Sequence, residues 1–195
     1  MKRTGSVKRT TRETDILVNI NIDGSGDSSI NTGIGFFDHM LYSFARHGLF
    51  NLQIEVDGDL MIDTHHTVED TGIVLGESIK SALGEKEGIK RYGFFILPMD
   101  DAVILCSLDL SGRYSIKFDY EFATEKIGEL ETETIREFFS AVACQAGMNL
   151  HIHVLAGNNS HHIVEAMFKA FAKALDMATD IDNRVEGAWS TKGSL

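Results

Sequence analysis

Residues 51–69 read Asn-Leu-Gln-Ile-Glu-Val-Asp-Gly-Asp-Leu-Met-Ile-Asp-Thr-His-His-Thr-Val-Glu, and residues 149–165 read Asn-Leu-His-Ile-His-Val-Leu-Ala-Gly-Asn-Asn-Ser-His-His-Ile-Val-Glu. Each stretch opens on alternating apolar positions, Leu52, Ile54 and Val56 in one and Leu150, Ile152 and Val154 in the other, which is the period of a half-buried strand. Each then passes through a glycine-containing turn and enters a helical pattern by way of His-His-x-x-Glu. His65 and His161 are 96 residues apart, as are Glu69 and Glu165, while the strands align at an offset of 98. A strand, turn and helix that recur at half the chain length indicate an internal repeat.

The flanking segments keep the same order. Ile16, Val18, Ile20 and Ile22 predict a strand ended by Asp23-Gly24-Ser25-Gly26. A helix is predicted over Phe37–His47, with Phe37, Met40, Leu41 and Phe44 at helical spacing, and a second from about His66 to Leu83, stopped by Gly84. In the second half, strands are predicted at Ala102–Leu110, Arg113–Tyr120 and Asn149–Leu155. Helices follow at about Thr132–Ala146 and His162–Ala178, the latter with Val164, Met167, Phe168, Phe171 and Leu175 as its apolar stripe. Carrying the offset of 98 back into the earlier helix places His39 opposite Glu137, and both side chains can bind a metal. The fold class is therefore read as α+β: a tandem repeat of two half-domains, residues 1–88 and 89–195, each a small mixed sheet covered by helices and packed as one unit.

Composition narrows the function classes. The formal charge of −11 over 195 residues opposes a nucleic-acid binder, which needs a basic footprint. It leaves room for a small anionic substrate met by a local group of Arg and Lys. No run approaches the roughly 20 apolar residues that span a bilayer, and Met1-Lys2-Arg3-Thr4-Gly5 opens no apolar secretory segment, so a cytoplasmic protein without a membrane partner is expected. Cys106 and Cys144 lie in apolar segments and are expected as buried, reduced thiols.

The histidines point to a metal. Neighbouring helical residues project about 100° apart, so one His-His pair does not easily place both rings on one ion. His65 and Glu69, four apart, share a face, and His66 lies close to Glu69 as well; the same holds for His161, His162 and Glu165. Together the segments supply four imidazoles and two carboxylates, and with His39 and Glu137 each of two ions could have four protein ligands and still keep positions open. Mixed imidazole and carboxylate ligation of this kind suits Mn, Fe, Co, Ni or Zn rather than Ca or Mg. A lone His-His pair is usually polar surface, but two at equivalent places in a repeat, each with a glutamate in register, form a constellation. His47, His151 and His153 lack that context, and a structural or solvent-facing role is the default for His151 and His153. The residues alone also allow a metal-storage or metal-sensing protein using the same ligands. Storage folds of the ferritin type need four long helices, which the alternating strands oppose.

Five dispersed segments carry a resemblance: Gly33-Ile-Gly-Phe-Phe-Asp-His-Met-Leu41, Asp63-Thr-His-His-Thr-Val-Glu-Asp70, Pro98-Met-Asp-Asp-Ala102, Asn159-Ser-His-His-Ile-Val-Glu-Ala166 and Ser190-Thr-Lys-Gly193. They resemble imidazoleglycerol-phosphate dehydratase of histidine biosynthesis, in order and through nearly the whole chain. The resemblance implies a fold like ribosomal protein S5 domain 2 and two Mn(II) ions per active site. One ion would be held by His39, His66, His162 and Glu165, the other by His65, Glu69, Glu137 and His161. It implies Glu13 as acid/base, acting with Glu165 and His66 in catalysis. His39, His65, Glu69 and His161 would also meet the substrate, together with His47, Arg91, Arg113, Lys169, Ser190, Thr191 and Lys192, the arginines, Ser190 and Lys192 being suited to its phosphate. The reaction implied is dehydration through an imidazolate and a diazafulvene, in a homo-oligomer of 24 subunits built from trimers with active sites between subunits. Two positions depart from the family pattern: Glu137, where relatives often have His, and Trp189, where they commonly have Pro.

Overall fold

The computed structural model describes residues 3–193. In the first half, strands β1 (Thr4–Thr10), β2 (Thr14–Asn21), β3 (Ser28–Asn31) and β4 (Asn51–Gly58) form a sheet of order β1-β2-β4-β3, with helices α1 (Gly35–Gly48) and α2 (His65–Leu83). The second half repeats this with β5 (Tyr92–Met99), β6 (Ala102–Asp109), β7 (Ser115–Phe118) and β10 (Asn149–Ala156), in the order β5-β6-β10-β7, and helices α3 (Thr134–Ala146) and α4 (Ser160–Thr179). A short hairpin, β8 (Lys126–Ile127) with β9 (Leu130–Glu131), is added between β7 and α3. Both sheets are mixed for the same reason: β3 runs parallel to β4, and β7 parallel to β10, while the remaining pairs are antiparallel.

The predicted elements are present, with their ends adjusted by one or two residues in most cases. The strand expected over Arg113–Tyr120 is shorter, because only Ser115–Phe118 pairs with β10 before the chain leaves for the β8–β9 hairpin. Edge strands β1 and β5 escape the periodicity reading for opposite reasons. The outward side of β1 is polar, and β5 is an almost unbroken apolar run that contains Pro98. Proline is tolerated there because an edge strand leaves one side of its backbone unpaired.

Helices α2 and α4 cover their sheets, and the two halves meet helix to helix, α2 on α3 and α1 on α4. At that junction Phe138 stacks on Phe168 at 5.1 Å and Phe37 meets Phe138 edge-on at 5.3 Å, all of them buried. The repeat extends to close contacts. A side chain at Gly5 of β1 would overlap the Ser78 carbonyl of α2, and one at Gly93 of β5 would overlap that of Ala174 of α4. Only glycine lets strand and helix backbones approach so closely. Cys106 is buried as expected, but Cys144 is exposed, since it falls on the same stripe of α3 as the partly exposed Glu137 and Ser140. Among the described residues no helix is long and apolar enough to cross a membrane.

Candidate active site

The His-His-x-x-Glu segments form the first turns of α2 and α4, and both start where a side chain accepts backbone N–H groups. Asn159 caps α4 by accepting from the N–H groups of His161 and His162, at 2.9 and 3.4 Å. Asp63 accepts from the N–H of His65 at 2.8 Å. In both helices the first histidine and the glutamate meet as helical geometry requires: His65 Nε2 lies 3.4 Å from Glu69 Oε2, and His161 Nε2 lies 3.3 Å from Glu165 Oε2.

Because α1 packs on α4, His39 joins the second pair, with its Nε2 3.6 Å from Glu165 Oε2. The donor atoms of His39, His161 and Glu165 all lie within 4.8 Å of one another, the one such group of three or more potential ligands among the described residues. The other oxygen of Glu165 accepts from Lys169 Nζ at 2.7 Å. Burial opposes the Glu165 charge, but the Lys169 hydrogen bond and the nearby cations outweigh it and hold the carboxyl below its ordinary range.

The second histidine of each pair turns elsewhere. His66 Nδ1 lies 3.0 Å from Asp59 Oδ2, and His162 Nδ1 lies 2.7 Å from Asp101 Oδ1. Each carboxylate draws the proton to Nδ1 and leaves Nε2 with a free lone pair, the usual arrangement of a metal-binding histidine. The Asp59 hydrogen bond also raises the His66 pKa above that of a free imidazole. Glu13, exposed in the β1–β2 turn, places Oε1 3.9 Å from His66 Nε2, and Asp100, in the corresponding β5–β6 turn, places Oδ2 3.5 Å from His162 Nε2. The ring that meets His39 and Glu165 within the chain is therefore His161. His162, which the resemblance grouped with them, is one residue around the helix and faces the β5–β6 turn instead.

Glu137 lies in the first turn of α3, half-buried, with Tyr120, Phe122 and Glu133 lining the same cavity of about 330 Å³. Its helix packs on α2 as α1 packs on α4. Within one chain, however, His65, Glu69 and Glu137 do not converge as His39, His161 and Glu165 do, since among the described residues only the latter three bring their donor atoms within 4.8 Å of one another.

The remaining candidates are spread out. His47 is in the last turn of α1, where desolvation and the Lys169 charge lower its pKa. Arg91 is only 9% exposed, ion-paired to Asp109 at 2.7 Å and donating to the Trp189 carbonyl at 2.8 Å. The Trp189 ring packs on Tyr92, at 6.0 Å between centroids, so the C-terminal tail is tethered through Arg91 and Tyr92. Arg113 is exposed beside Ser111, and Ser190, Thr191 and Lys192 form a turn in which Ser190 Oγ accepts from the N–H of Lys192 at 3.2 Å. This cationic group lies far from the histidines. The N–H of Arg91 donates to Ala178 near the C-terminus of α4, whereas His161 is at its N-terminus, about 25 Å away along the axis.

Sequence reasoning passed over Asp59, Asp70, Asp100, Asp101 and Glu131. Three of these stood within or beside quoted motifs, Asp70 next to Glu69 and the Asp100-Asp101 pair between Pro98 and Ala102. The signal was present in those motifs, but their contacts depend on which turn meets which helix.

Residues 32–175 match the family model described as imidazoleglycerol-phosphate dehydratase. The chain is 58% identical over 195 residues to the imidazoleglycerol-phosphate dehydratase of Lachnoclostridium phytofermentans and 60% identical over 195 residues to that of Acetivibrio thermocellus, each alignment covering 100% of both chains. Among solved structures it resembles the Staphylococcus aureus dehydratase, with 38% identity and a TM-score of 0.83 over 92% of this chain and 99% of that one. It also resembles the Pyrococcus furiosus protein in complex with (S)-C348, with 38% identity and a TM-score of 0.81 over 97% and 100% of the two chains.

Proposed function

The chain belongs to the imidazoleglycerol-phosphate dehydratase family and is a hydro-lyase of histidine biosynthesis, and from that premise we propose that it converts imidazoleglycerol phosphate to imidazole-acetol phosphate with two Mn(II) ions per active site. The observation that carries the metal reading is the convergence of His39, His161 and Glu165, whose donor atoms lie within 4.8 Å of one another. As the resemblance implies, one ion would be held by His39, His66, His162 and Glu165 and the other by His65, Glu69, Glu137 and His161. Each would draw on both halves of the repeat; within one chain it is the His161 ring that faces Glu165. The Nδ1–carboxylate pairs at His66 and His162 suit both rings to ligation through Nε2. Imidazole with carboxylate, and no thiolate, suits Mn(II).

Such ions supply Lewis acidity that favours the deprotonated, electron-rich form of the substrate imidazole. The protein's own task is to place the rest of the substrate and to move its protons. The hydroxyl beside the ring leaves as water, taking up the equivalent of the proton the ring nitrogen gives up, and a diazafulvene form of the substrate results. Glu13 then takes the C2 proton, the ring nitrogen regains a proton, and the resulting enol tautomerises to the ketone. The side chain of Glu13 stands in an exposed turn against His66, which is compatible with that task. Arg113, Ser190, Thr191 and Lys192 would meet the phosphate, Arg91 joining with the N–H groups that Asp109 and Trp189 leave over, and His47 and Lys169 would flank the substrate near Glu165.

A separation of about 25 Å between the cationic tail and His161 is far longer than a substrate built of an imidazole, three carbons and a phosphate. This supports a site shared between subunits, as in the family's assemblies of 24 chains built from trimers. The outer face of the second sheet, with Phe94 62%, Ile96 54% and Leu155 54% exposed, offers apolar area for such contacts. A cytoplasmic location fits a biosynthetic enzyme of this kind. Chelation is expected to abolish dehydratase activity and added Mn(II) to restore it; turnover unchanged after thorough chelation would overturn the metal reading.

A further inference from the structure

We infer that Asp70 is a positioning residue for the dehydration: its buried carboxylate fastens the β1–β2 turn to α2 and so sets Glu13 over His66. The inference rests on Glu13 being the proton-transfer residue. Asp70 lies four residues after His66, one turn further along the same face of α2, and is 8% exposed. Two residues from the strands flanking the Glu13 turn converge on its Oδ2. The Thr14 hydroxyl donates at 2.6 Å, and the Arg9 guanidinium stands 2.6 Å away. The Arg9 contact is ionic rather than directional, since its Nη1 is buried without a well-aimed acceptor.

The turn between them is ordered from within. Thr11 Oγ1 accepts from the N–H groups of Glu13 and Thr14, at 3.1 and 3.0 Å, and the N–H of Thr11 donates to the Thr14 carbonyl at 2.8 Å. On its other side the Glu13 carbonyl accepts from the N–H of Asp59 at 3.1 Å, and Asp59 is the residue that orients His66. Glu13 is therefore held between two anchors that both lead to His66, one through Asp59 and one through Thr14 and Asp70. Asp70 itself turns away from Glu69 and His65 and stands outside the ligand set. A buried carboxylate costs desolvation that an apolar residue of similar size would avoid, so stability alone is a poor reason for it. Placement is a better one, because a shift of about 1 Å in a reacting group lowers rates roughly a hundredfold.

The test uses the full-length, Mn(II)-loaded protein and measures kcat, KM and bound metal in Thr14→Val, Thr14→Ser, Asp70→Ala, Glu13→Gln and the Glu13→Gln/Thr14→Val double variant. Asp70→Ala should lower kcat by about a hundredfold with metal content unchanged and KM little moved. Thr14→Val should follow in the same direction while Thr14→Ser, which keeps the hydroxyl, retains most turnover. In the Glu13→Gln background Thr14→Val should cost nothing further, as expected for two residues acting as one unit. Wild-type kcat in Thr14→Val, a loss that tracks loss of metal, or a full additional loss in the double variant each overturns the inference. If Asp70→Ala does not fold, the Thr14→Val and Thr14→Ser pair decides. Normal turnover in Glu13→Gln would sink the acid/base reading and this inference with it, whereas an inactive Glu13→Gln beside an unaffected Thr14→Val would sink the positioning role alone.

Discussion

Glu165 shows how much one helical register can assign to a single carboxylate. One oxygen accepts from Lys169 at 2.7 Å, four residues on, and the other faces His161 at 3.3 Å, four residues back. Both contacts follow from spacing, and both were legible in the order of residues. The contact with His39 was not, because it depends on α1 lying against α4. Glu137 is one of the two positions at which the resemblance implies a departure from the family pattern, and its role can be tested directly. Glu137→Ala should lower bound Mn(II) from two ions toward one per active site, while Glu137→His should keep both; metal analysis of the purified variants decides. Equal metal content in all three proteins would remove Glu137 from the ligand set. A second residue-scale test concerns proton transfer: Glu13→Gln should keep its metal and lose most turnover, read by metal analysis and a dehydratase assay on one preparation.

Helix α2 shows what an element gains from outside itself. Its first N–H groups have no cap from the Thr64 side chain. The carboxylate of Glu131, from the β8–β9 hairpin, instead accepts from the Thr64 hydroxyl and from its N–H at 3.3 Å, and pairs with Lys126 Nζ at 2.6 Å. A negative charge at a helix N-terminus is favourable. Burial works against ionisation of Glu131, but the Lys126 and Thr64 hydrogen bonds outweigh it and hold the pKa at about 2. A carboxyl depressed in the folded state contributes stability that is fully present above its unfolded pKa and lost as the pH falls through its folded one. Wild type should therefore melt above Glu131→Gln at neutral pH, and the gap should narrow from below about pH 4.5 toward pH 2; a gap that is constant with pH would exclude the charge. The strap was invisible in the sequence because each of its strands is two residues long and has no period to read. The junction between the halves is the opposite case. Phe168 sat on a predicted stripe, and its burial against Phe138 and Phe139, at 5.1 and 5.0 Å, means that Phe168→Ala should cost about 3–5 kcal/mol in denaturant unfolding.

At the scale of the whole molecule, the candidate residues divide between the two ends of α4. The histidines stand at the N-terminal ends of α2 and α4, and the cationic tail stands at the far end of α4. If neighbouring subunits supply the missing parts, two inactive variants should complement each other. Reassembly of His161→Ala with Arg113→Ala chains should recover a measurable fraction of activity that neither shows alone; a mixture that stays inactive although co-assembled would place the whole site within one chain. The sequence by itself determined the repeat, the helices that carry the paired histidines, and the spacing that joins each first histidine to its glutamate. These are local properties, set by strand and helix periods within a few residues of each other. Only the tertiary structure decided that His161 rather than His162 meets His39, that Asp59 and Asp101 orient the second histidines, and that the Glu13 turn is fastened to α2 through Asp70. Those contacts join residues 7 to 122 positions apart, and they exist because the halves pack helix to helix with their hairpin turns beside the helix starts. Period and spacing fix which face of an element a side chain occupies, whereas the partner across that face is fixed by packing.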